Sequence, residues 1–333
     1  MKILAYTNSP KSAAWIFYKK RFLNFKNKNI KFIFIEKSNI VFVKNINIIL
    51  LFGFNLNYDQ IKIMYPNIKI GLLDPRFNKR YKPCSFDFLV TQGIESSLFF
   101  ANYNKPIFNY PIFPKMDLSK VTTLKQNKKI IIGYHGNKVH LNAMKNRITD
   151  ALLKLNQHFD IELWLMYDKK GLGKYDDNNL PNLKVKHIQY SENNYYKYIS
   201  HVDIGIIPQL IPVKKNPLLM RFLGTFFSSF NEKSEDFLLR FKETTNNGRA
   251  FIFAQFKIPI VADITPSSCA LIGDDECGFI AYSSESWFHA LYLLCNSPTL
   301  RNNLGRKLWL RYIKNYSEEI LNENFAIFLN KSI

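Results

Sequence analysis

Metal-binding patterns are missing from this chain of 333 residues. Its four cysteines include no C-x-x-C pair, and its six histidines include no H-x-x-x-H. The adjacent carboxylates at 176–177 and 274–275 stand in polar, turn-like contexts, and neither pair is an Asp-x-Asp. We therefore predict reduced cysteines, no metal site and no cofactor.

Long apolar runs are missing as well. The longest, Ile48–Phe54, is far shorter than the roughly 20 residues that a helix needs to cross a bilayer. Polar residues from Asn8 to Lys11 end the apolar N-terminal segment too early for a signal peptide. We expect a cytoplasmic protein, with peripheral contact at the inner face of the membrane as its closest approach to lipid.

Acidic residues are few. Lys and Arg number 46 against 26 Asp and Glu, the formal net charge is +20, and residues 1–118 hold 18 of the basic residues and 6 of the acidic ones. Such a surface favours nucleotide diphosphates, anionic lipid or nucleic acid. No RRM, KH, helix-turn-helix or zinc pattern accompanies the charge, so we predict no nucleic-acid partner. A genomic bias toward lysine codons would produce the same excess, and the charge alone selects no function.

Apolar residues make up 47% of the chain, which is enough for two buried cores. Strand-like and helix-like stretches alternate along both halves, which predicts an α/β protein with two doubly wound parallel sheets. The predicted segments are an N-terminal Rossmann-like domain at 1–118, a linker at 119–128, a C-terminal Rossmann-like domain at 129–312 with an insertion at 210–241, and a C-terminal helix at 313–333 that crosses back to the first domain. Ligands of such sheets bind at the carboxyl ends of the strands, so we expect the site in the cleft between the domains.

Three helical segments are predicted from the apolar pattern. Ser12–Phe25 has an apolar pattern with one face formed by Trp15, Ile16, Tyr18, Phe22 and Phe25. Leu141–His158 is predicted as one long helix after a glycine-bearing turn. Leu218–Phe230, inside the insertion, is either a helix packed on the domain or a surface for a membrane or an acceptor.

The glycine-bearing turn from Gly133 to Asn137 is the first candidate phosphate site. Glycines such as Gly136 let backbone N–H groups approach a phosphate, and a following helix would add its dipole. The side chains of His135 and Asn137 stand in the same turn. The pattern is not G-x-G-x-x-G, so an ordinary tight turn remains an alternative.

The segment from Lys242 to Arg249 is the second candidate phosphate site. Its two cations flank a polar loop that includes Glu243, Asn247 and Gly248 and that opens onto an apolar helix. Two cations beside a helix N-terminus suit a diphosphate leaving group, whose negative charge grows as its bond to a sugar breaks. A solvated basic loop is the alternative.

Four further residues are weaker candidates. Pro266 and Ser267 follow a strand and offer either a ligand site or a helix cap. Asp74 and Glu95 lie near strand ends of the first half, where a carboxylate could accept a proton from an acceptor hydroxyl as general base. Surface or capping roles are the alternatives for both carboxylates.

The second half resembles the glycosyltransferase group 1 family over about residues 129–317. The similar segments are "YYKYISHVDIGIIP" at 195–208, "KETTNNGRAFIFAQFKIPIVADITPSS" at 242–268 and "IGDDECGFIAYSSESWFHALYLLCNSPTLRNNLG" at 272–305. The resemblance implies a GT-B fold, in which the C-terminal domain binds a nucleotide-sugar and the N-terminal domain binds the acceptor. It also implies phosphate contacts at Lys242 and Arg249, a donor pocket near Pro208 and Gln209, and a base-binding turn near His187 and Ile188.

From the resemblance we expect a metal-independent glycosyltransferase of cell-surface polysaccharide biosynthesis. It would move a hexose-type sugar from a nucleotide-sugar to a hydroxyl of a glycan, a lipid-linked saccharide or a protein. The E-x7-E positions of many retaining members are occupied by Thr244 and Ile252 here, with Glu243 one residue away, so the stereochemistry stays open. A non-catalytic subunit that binds a nucleotide-sugar or a glycan is the alternative.

Overall fold

The computed structural model describes residues 1–37, 43–53, 56–76, 81–116, 118, 129–191, 195–211, 240–242, 245–273 and 276–332. The predicted linker, most of the predicted insertion, including Leu218–Phe230, and Glu243 lie outside these residues.

Two parallel six-stranded sheets form the framework, which confirms the predicted fold class. The N-terminal sheet contains β1 Lys2–Thr7, β2 Lys31–Glu36, β3 Ile48–Phe52, β4 Lys69–Leu73, β5 Phe88–Thr91 and β6 Ile107–Asn109. Its strand order is β2-β1-β3-β4-β5-β6. The inner strand β3 is buried at every position, as expected for a strand covered on both faces, whereas the edge strand β2 is only half-buried.

The C-terminal sheet contains β7 Ile130–His135, β8 Ile161–Tyr167, β9 Lys184–Gln189, β10 Ile204–Ile207, β11 Ile260–Asp263 and β12 Phe279–Ala281. Its order is β12-β11-β10-β7-β8-β9. The chain runs outward from β7 toward β9 on one side and from β10 toward β12 on the other. The boundary between β10 and β7 is therefore a topological switch point, where open α/β sheets bind their ligands.

Eleven helices accompany the sheets in the described part of the chain. They are α1 Ala13–Leu23, α2 Tyr58–Met64, α3 Ile94–Phe100, α4 Ile148–Asn156, α5 Lys169–Leu172, α6 Tyr195–Ile199, α7 Gly248–Gln255, α8 Pro266–Ile272, α9 Ser284–Asn296, α10 Pro298–Tyr316 and α11 Glu318–Ser332. Local sequence sets several of their starts. Ser283 forms a capping box with Ser286 at α9, and Ser297 with Pro298 begins α10.

Two helix predictions require correction. Ile16 is 52% exposed, so it lies on the outer face of α1 rather than with the buried Trp15 and Tyr18. Leu141–His158 is not one helix, because a 3-10 segment, Lys138–Met144, is followed by a turn before α4 begins. Asn146 in that turn has φ of 57°, a left-handed conformation that ends regular helix.

The last helix, α11, packs on the N-terminal sheet. The Phe325 ring lies between Phe22 of α1 and Phe108 of β6, with ring centroids 6.0 and 5.2 Å away. Phe328 contacts Phe88 of β5 at 5.5 Å. The aromatic contacts bury the end of the chain against the first domain and couple the two domains on the side of the sheet that α1 covers.

Candidate active site

The candidate site lies at the switch point between β10 and β7. Gly136 follows β7, Pro208 follows β10, and α7 begins beside them at Gly248. Gly136 has φ of 141°, and a Cβ there would approach Arg249 Cδ to 3.0 Å. The two loops predicted from the sequence are therefore neighbours in space.

Arg249 is the central group of this site. Its Nη2 donates to the carbonyl of Pro208 at 3.2 Å, and its guanidinium lies 5.5 Å from the centroid of the Tyr134 ring. Its Nη1 is buried and has no hydrogen-bond partner among the residues that the structure describes. Arg249 also stands in the first turn of α7, where the helix dipole disfavours a cation. A bound anion would accept a hydrogen bond from Nη1 and would also offset the positive charge at the start of the helix.

Two imidazoles next to Arg249 are held neutral. Burial and the Arg249 charge lower the pKa of His135 to about 4, although a bond from its Nε2 to the Arg249 carbonyl at 3.1 Å opposes this shift. Burial, Arg249 and Lys242 lower the pKa of His140 to about 3. His140 was not among the sequence candidates, because nothing in its local sequence shows that it lies near Lys242.

Two polar residues just before α7, Asn246 and Asn247, are held by side-chain hydrogen bonds. Asn246 Oδ1 accepts from the N–H of Gly248 at 2.9 Å, which satisfies one donor of the helix start. Asn247 is buried and donates from Nδ2 to the carbonyl of Ser267, while its Oδ1 has no hydrogen-bond partner in the described segments. An acceptor and a donor, Asn247 Oδ1 and Arg249 Nη1, are thus available on the same turn.

Asp263 anchors the other side of the site. This fully buried carboxylate at the end of β11 pairs with both guanidinium nitrogens of Arg147. It also accepts from the backbone N–H groups of Gln209 and Leu210, at 2.6 and 2.7 Å. It therefore fixes the segment that follows Pro208. The sequence analysis did not single out Asp263, whose partner Arg147 is 116 residues away.

Gln209 extends this polar network toward α7 and α8. Its Nε2 donates to the carbonyl of Asn246 at 3.1 Å, and its Oε1 accepts from the hydroxyls of Thr265 and Ser268. Gln209 is 4% exposed, and its two bonds from the hydroxyls are buried, whereas its bond to Asn246 is partly buried. The sequence-predicted positions Pro208 and Gln209 therefore lie beside the loop that carries Arg249.

Glu95 and Ser267 join the two domains. Glu95 is buried, and its carboxylate accepts from both the backbone N–H of Ser267, at 2.9 Å, and the Ser267 hydroxyl. The Ser267 Oγ in turn accepts from the N–H of Ile94 at 3.1 Å. Both oxygens of Glu95 are thus engaged across the cleft. Pro266 occupies the first turn of α8 and shapes its start.

Asp74 faces the same junction from the N-terminal domain. Burial raises the pKa of Asp74, and the nearby charge of Arg76 and a hydrogen bond from Gln92 act against that rise. Arg76 Nη2 lies 3.3 Å from Asp74 Oδ2. Gln92 also accepts from Asn246 Nδ2 at 3.2 Å. A chain of polar contacts therefore runs from Asp74 to the start of α7.

Three sequence candidates lie apart from the Arg249 site. Gly133 lies inside β7, where a side chain would collide with Val202, so its role is close packing of the sheet. His187 on β9 bonds to Tyr167 at 2.8 Å and to Asp177 at 3.0 Å. Ile188 is buried in the core. An α-helix was expected directly after Gly136, but a 3-10 segment stands there. The α-helix N-terminus beside Gly136 is that of α7.

A separate groove of about 950 Å³ lies away from this site. It is bordered by the end of α1, the segment 113–116 and the start of α11. No cluster of three or more potential metal ligands occurs within the described residues. Nor does any helix in those ranges combine the length and apolarity needed to cross a membrane.

The fold is that of solved glycosyltransferases. A glycosyltransferase from Rickettsia africae is 12% identical, with a TM-score of 0.67 over 99% of this chain and 98% of that one. Anabaena HepE in complex with UDP is 10% identical, with a TM-score of 0.65 over 99% and 100%. Staphylococcus aureus TarM, in complex with fondaparinux, α-GlcNAc-glycerol and UDP, is 13% identical, with a TM-score of 0.54 over 85% and 55%.

This chain thus spans about half the length of TarM. No protein-family model matches the chain, and no curated protein does. At identities of 10–13% the likeness shows the fold, which is the two-domain GT-B architecture.

Proposed function

We propose that this protein is a glycosyltransferase that uses a nucleoside-diphosphate sugar as donor. The observation that carries the proposal is Arg249, a half-buried cation at the positive end of α7 whose buried Nη1 has no hydrogen-bond partner in the described structure. A diphosphate would pair with this guanidinium and with the N-terminus of the helix. Lys242 is half-buried near His140 and adds a second positive charge to the same region.

In the proposed reaction, the bond between the anomeric carbon and the diphosphate oxygen breaks. Its electron pair leaves with the diphosphate, while the acceptor oxygen forms the new bond to the same carbon. Arg249 and Lys242 stabilise the charge that grows on the leaving group, a contribution worth about 3 kcal/mol for one such group. This bond balance holds for retention and for inversion.

Asp74 is the proposed recipient of the acceptor proton. Its carboxyl is buried, its pKa is raised, and it lies on the N-terminal side of the cleft. A raised pKa favours proton uptake near neutral pH. Glu95 fits this role less well because both of its oxygens already accept hydrogen bonds from Ser267. It is better suited to hold the domains together.

The proposed acceptor is a hydroxyl of a glycan, a lipid-linked saccharide or a protein, as in the assembly of a cell-surface polysaccharide. TarM, which shares the fold, was crystallised with UDP and saccharide ligands, and HepE with UDP. We further propose that transfer needs no divalent metal, since Arg249 and Lys242 would supply the positive charge at the diphosphate that a metal ion would otherwise supply.

The test measures UDP and UDP-glucose binding by calorimetry and sugar transfer with a panel of saccharide acceptors. Arg249→Ala should weaken UDP binding and reduce transfer on the order of 100-fold. Asp74→Asn should reduce transfer by about 100-fold or more while UDP binding persists. Arg306→Ala, an exposed arginine on α10, is the matched control. Wild-type binding and transfer by Arg249→Ala would refute the proposed mechanism.

The same experiment distinguishes a catalytic glycosyltransferase from a non-catalytic subunit. Saturable binding of UDP-glucose without hydrolysis or transfer, across the acceptor panel, would favour a sugar-binding role for this fold. Chelation of divalent metals by EDTA should leave the transfer rate unchanged if the proposed metal-independent route holds.

A further inference from the structure

Two consecutive residues at the end of β7 hold Arg249 in place. The Arg249 guanidinium carbon lies 5.5 Å from the centroid of the Tyr134 ring, which is within the range of a cation–π interaction. His135 Nε2 lies 3.1 Å from the carbonyl of Arg249, and because a carbonyl oxygen only accepts, this nitrogen donates. The strand therefore contacts both the side chain and the backbone of the arginine at the start of α7.

Close packing confines the Arg249 side chain beside the Tyr134 ring. A Cβ at Gly136 would lie 3.0 Å from Arg249 Cδ and 2.9 Å from the Tyr134 hydroxyl oxygen, so both side chains lie directly against this glycine. The Tyr134 hydroxyl also donates to the carbonyl of Asn137 at 2.8 Å. Tyr134 is only 1% exposed, so its ring cannot move without displacing the side chains packed around it.

The groups that hold the Arg249 guanidinium are neutral. Burial raises the pKa of Tyr134, with the Arg249 charge acting against that rise, so the phenol stays protonated. The Pro208 carbonyl, which accepts from Arg249 Nη2, carries no charge either. No carboxylate within the described residues forms an ion pair with Arg249, and the buried carboxylate of Asp263 is paired with Arg147. Arg249 therefore keeps its full charge for an anion, whereas a carboxylate partner would compete with phosphate oxygens for the same donors.

We infer that Tyr134 is a positioning residue for the diphosphate of the donor and that it acts through Arg249. This inference rests on the proposed function, in which Arg249 binds the diphosphate. The Tyr134 ring keeps the guanidinium in place, with Nη2 bound to Pro208 and the buried Nη1 left for a phosphate oxygen. The Tyr134 hydroxyl contributes less, because Asn137 is exposed and its carbonyl can bond to water instead. Binding of the diphosphate therefore depends on the ring more than on the hydroxyl.

The first experiment follows the Arg249 guanidinium by NMR without any nucleotide. In the full chain with isotope-labelled arginine, the Nε–Hε resonance of Arg249 is assigned by its absence in Arg249→Ala. The ring current of Tyr134 should shift this resonance away from those of exposed arginines. Tyr134→Phe, which keeps a ring, should leave the resonance near its wild-type position, and Tyr134→Leu should move it toward the exposed arginines.

The second experiment measures UDP binding by calorimetry in a double-mutant cycle. Tyr134→Leu should weaken UDP binding about ten-fold, which is the scale of a largely desolvated cation–π contact. Tyr134→Phe should bind UDP within about three-fold of the wild type, because it loses only one neutral hydrogen bond. In the Arg249→Ala background, Tyr134→Leu should change the UDP affinity by less than about two-fold, because the group through which Tyr134 acts is missing.

Tyr65→Leu is the matched control. It removes a buried tyrosine of the N-terminal domain whose hydroxyl accepts from the N–H of Val43 at 2.8 Å. It should also destabilise the chain, but it should leave the UDP affinity and the Arg249 resonance unchanged. Tyr134→Met, whose longer side chain fills more of the same space, is a second non-aromatic variant and should behave like Tyr134→Leu. Urea unfolding verifies that each variant is measured while folded.

An Arg249 resonance that stays in place in Tyr134→Leu and Tyr134→Met would overturn the inference, and so would wild-type UDP affinity in both variants. Equal losses of UDP affinity from Tyr134→Leu in the wild-type and Arg249→Ala backgrounds would overturn it as well, since that result would mean a general disturbance of the domain. If the wild-type chain binds no UDP, the proposed function fails, and the resonance still decides whether Tyr134 orients Arg249.

Discussion

The buried ion pair of Arg147 and Asp263 offers the sharpest test of how the site is held together. Asp263 has no exposed surface, and the Arg147 side chain is 16% exposed. Five donor groups converge on this carboxylate, from Arg147 twice, from the N–H groups of Gln209 and Leu210, and from the indole of Trp287. Asp263→Asn removes the negative charge and leaves the guanidinium without its counter-ion.

The cost follows from that geometry. Breaking one partner of a buried ion pair destabilises a protein by about 3 to 5 kcal/mol, because the remaining charge is uncompensated. In a domain of this size, that loss lowers the melting temperature by roughly 10 °C. Since the same carboxylate fixes Gln209 next to Pro208, whose carbonyl holds Arg249, the variant should also bind UDP more weakly at temperatures where it is folded.

Urea unfolding and differential scanning fluorimetry measure the first effect. The double variant Arg147→Met with Asp263→Leu removes both charges. Its loss of unfolding free energy should be smaller than the sum of the losses measured for the two single variants. A decrease of less than about 1 kcal/mol in the free energy of unfolding of Asp263→Asn would refute the reasoning, because leaving the buried guanidinium without a counter-ion should cost more than that.

Two further predictions concern stability. Lys257 adopts φ of 55°, so Lys257→Gly should relieve left-handed strain and raise the free energy of unfolding by about 0.5 kcal/mol, after the loss of its cation–π contact with Trp309. Urea unfolding checks this, and Lys257→Ala, which keeps the strain, should show no gain. Burial lowers the pKa of His140 to about 3, so the unfolded chain takes up a proton below about pH 6.5 that the folded chain does not. Stability should therefore fall by about 2 kcal/mol between pH 6.5 and 5 on account of this residue, and His140→Gln should remove that part of the slope in urea titrations at stepped pH.

The two-sheet fold and most of its elements could be predicted from the amino-acid sequence. Helix α7 begins at Gly248, where the polar loop gives way to the predicted apolar helix, because glycine and capping residues act locally. The hydrophobic runs of β1, β3 and β8 are equally local signals. The long helix predicted after Gly136 was wrong because a left-handed turn at Asn146 depends on backbone conformation, which hydrophobic spacing does not report.

Which polar side chains meet in the site could not be predicted from the sequence and became clear from the folded chain. Arg147 with Asp263, Glu95 with Ser267 and His140 with Arg249 are pairs separated by more than a hundred residues, and no spacing rule connects them. The first and third pairs meet because the strand order brings the loops after β7, β10 and β11 to one edge of a sheet, whereas Glu95 meets Ser267 where the two domains contact each other. The exposure of Ile16 could not be predicted from the sequence either, because the face of a helix that meets the sheet depends on where the rest of the chain packs.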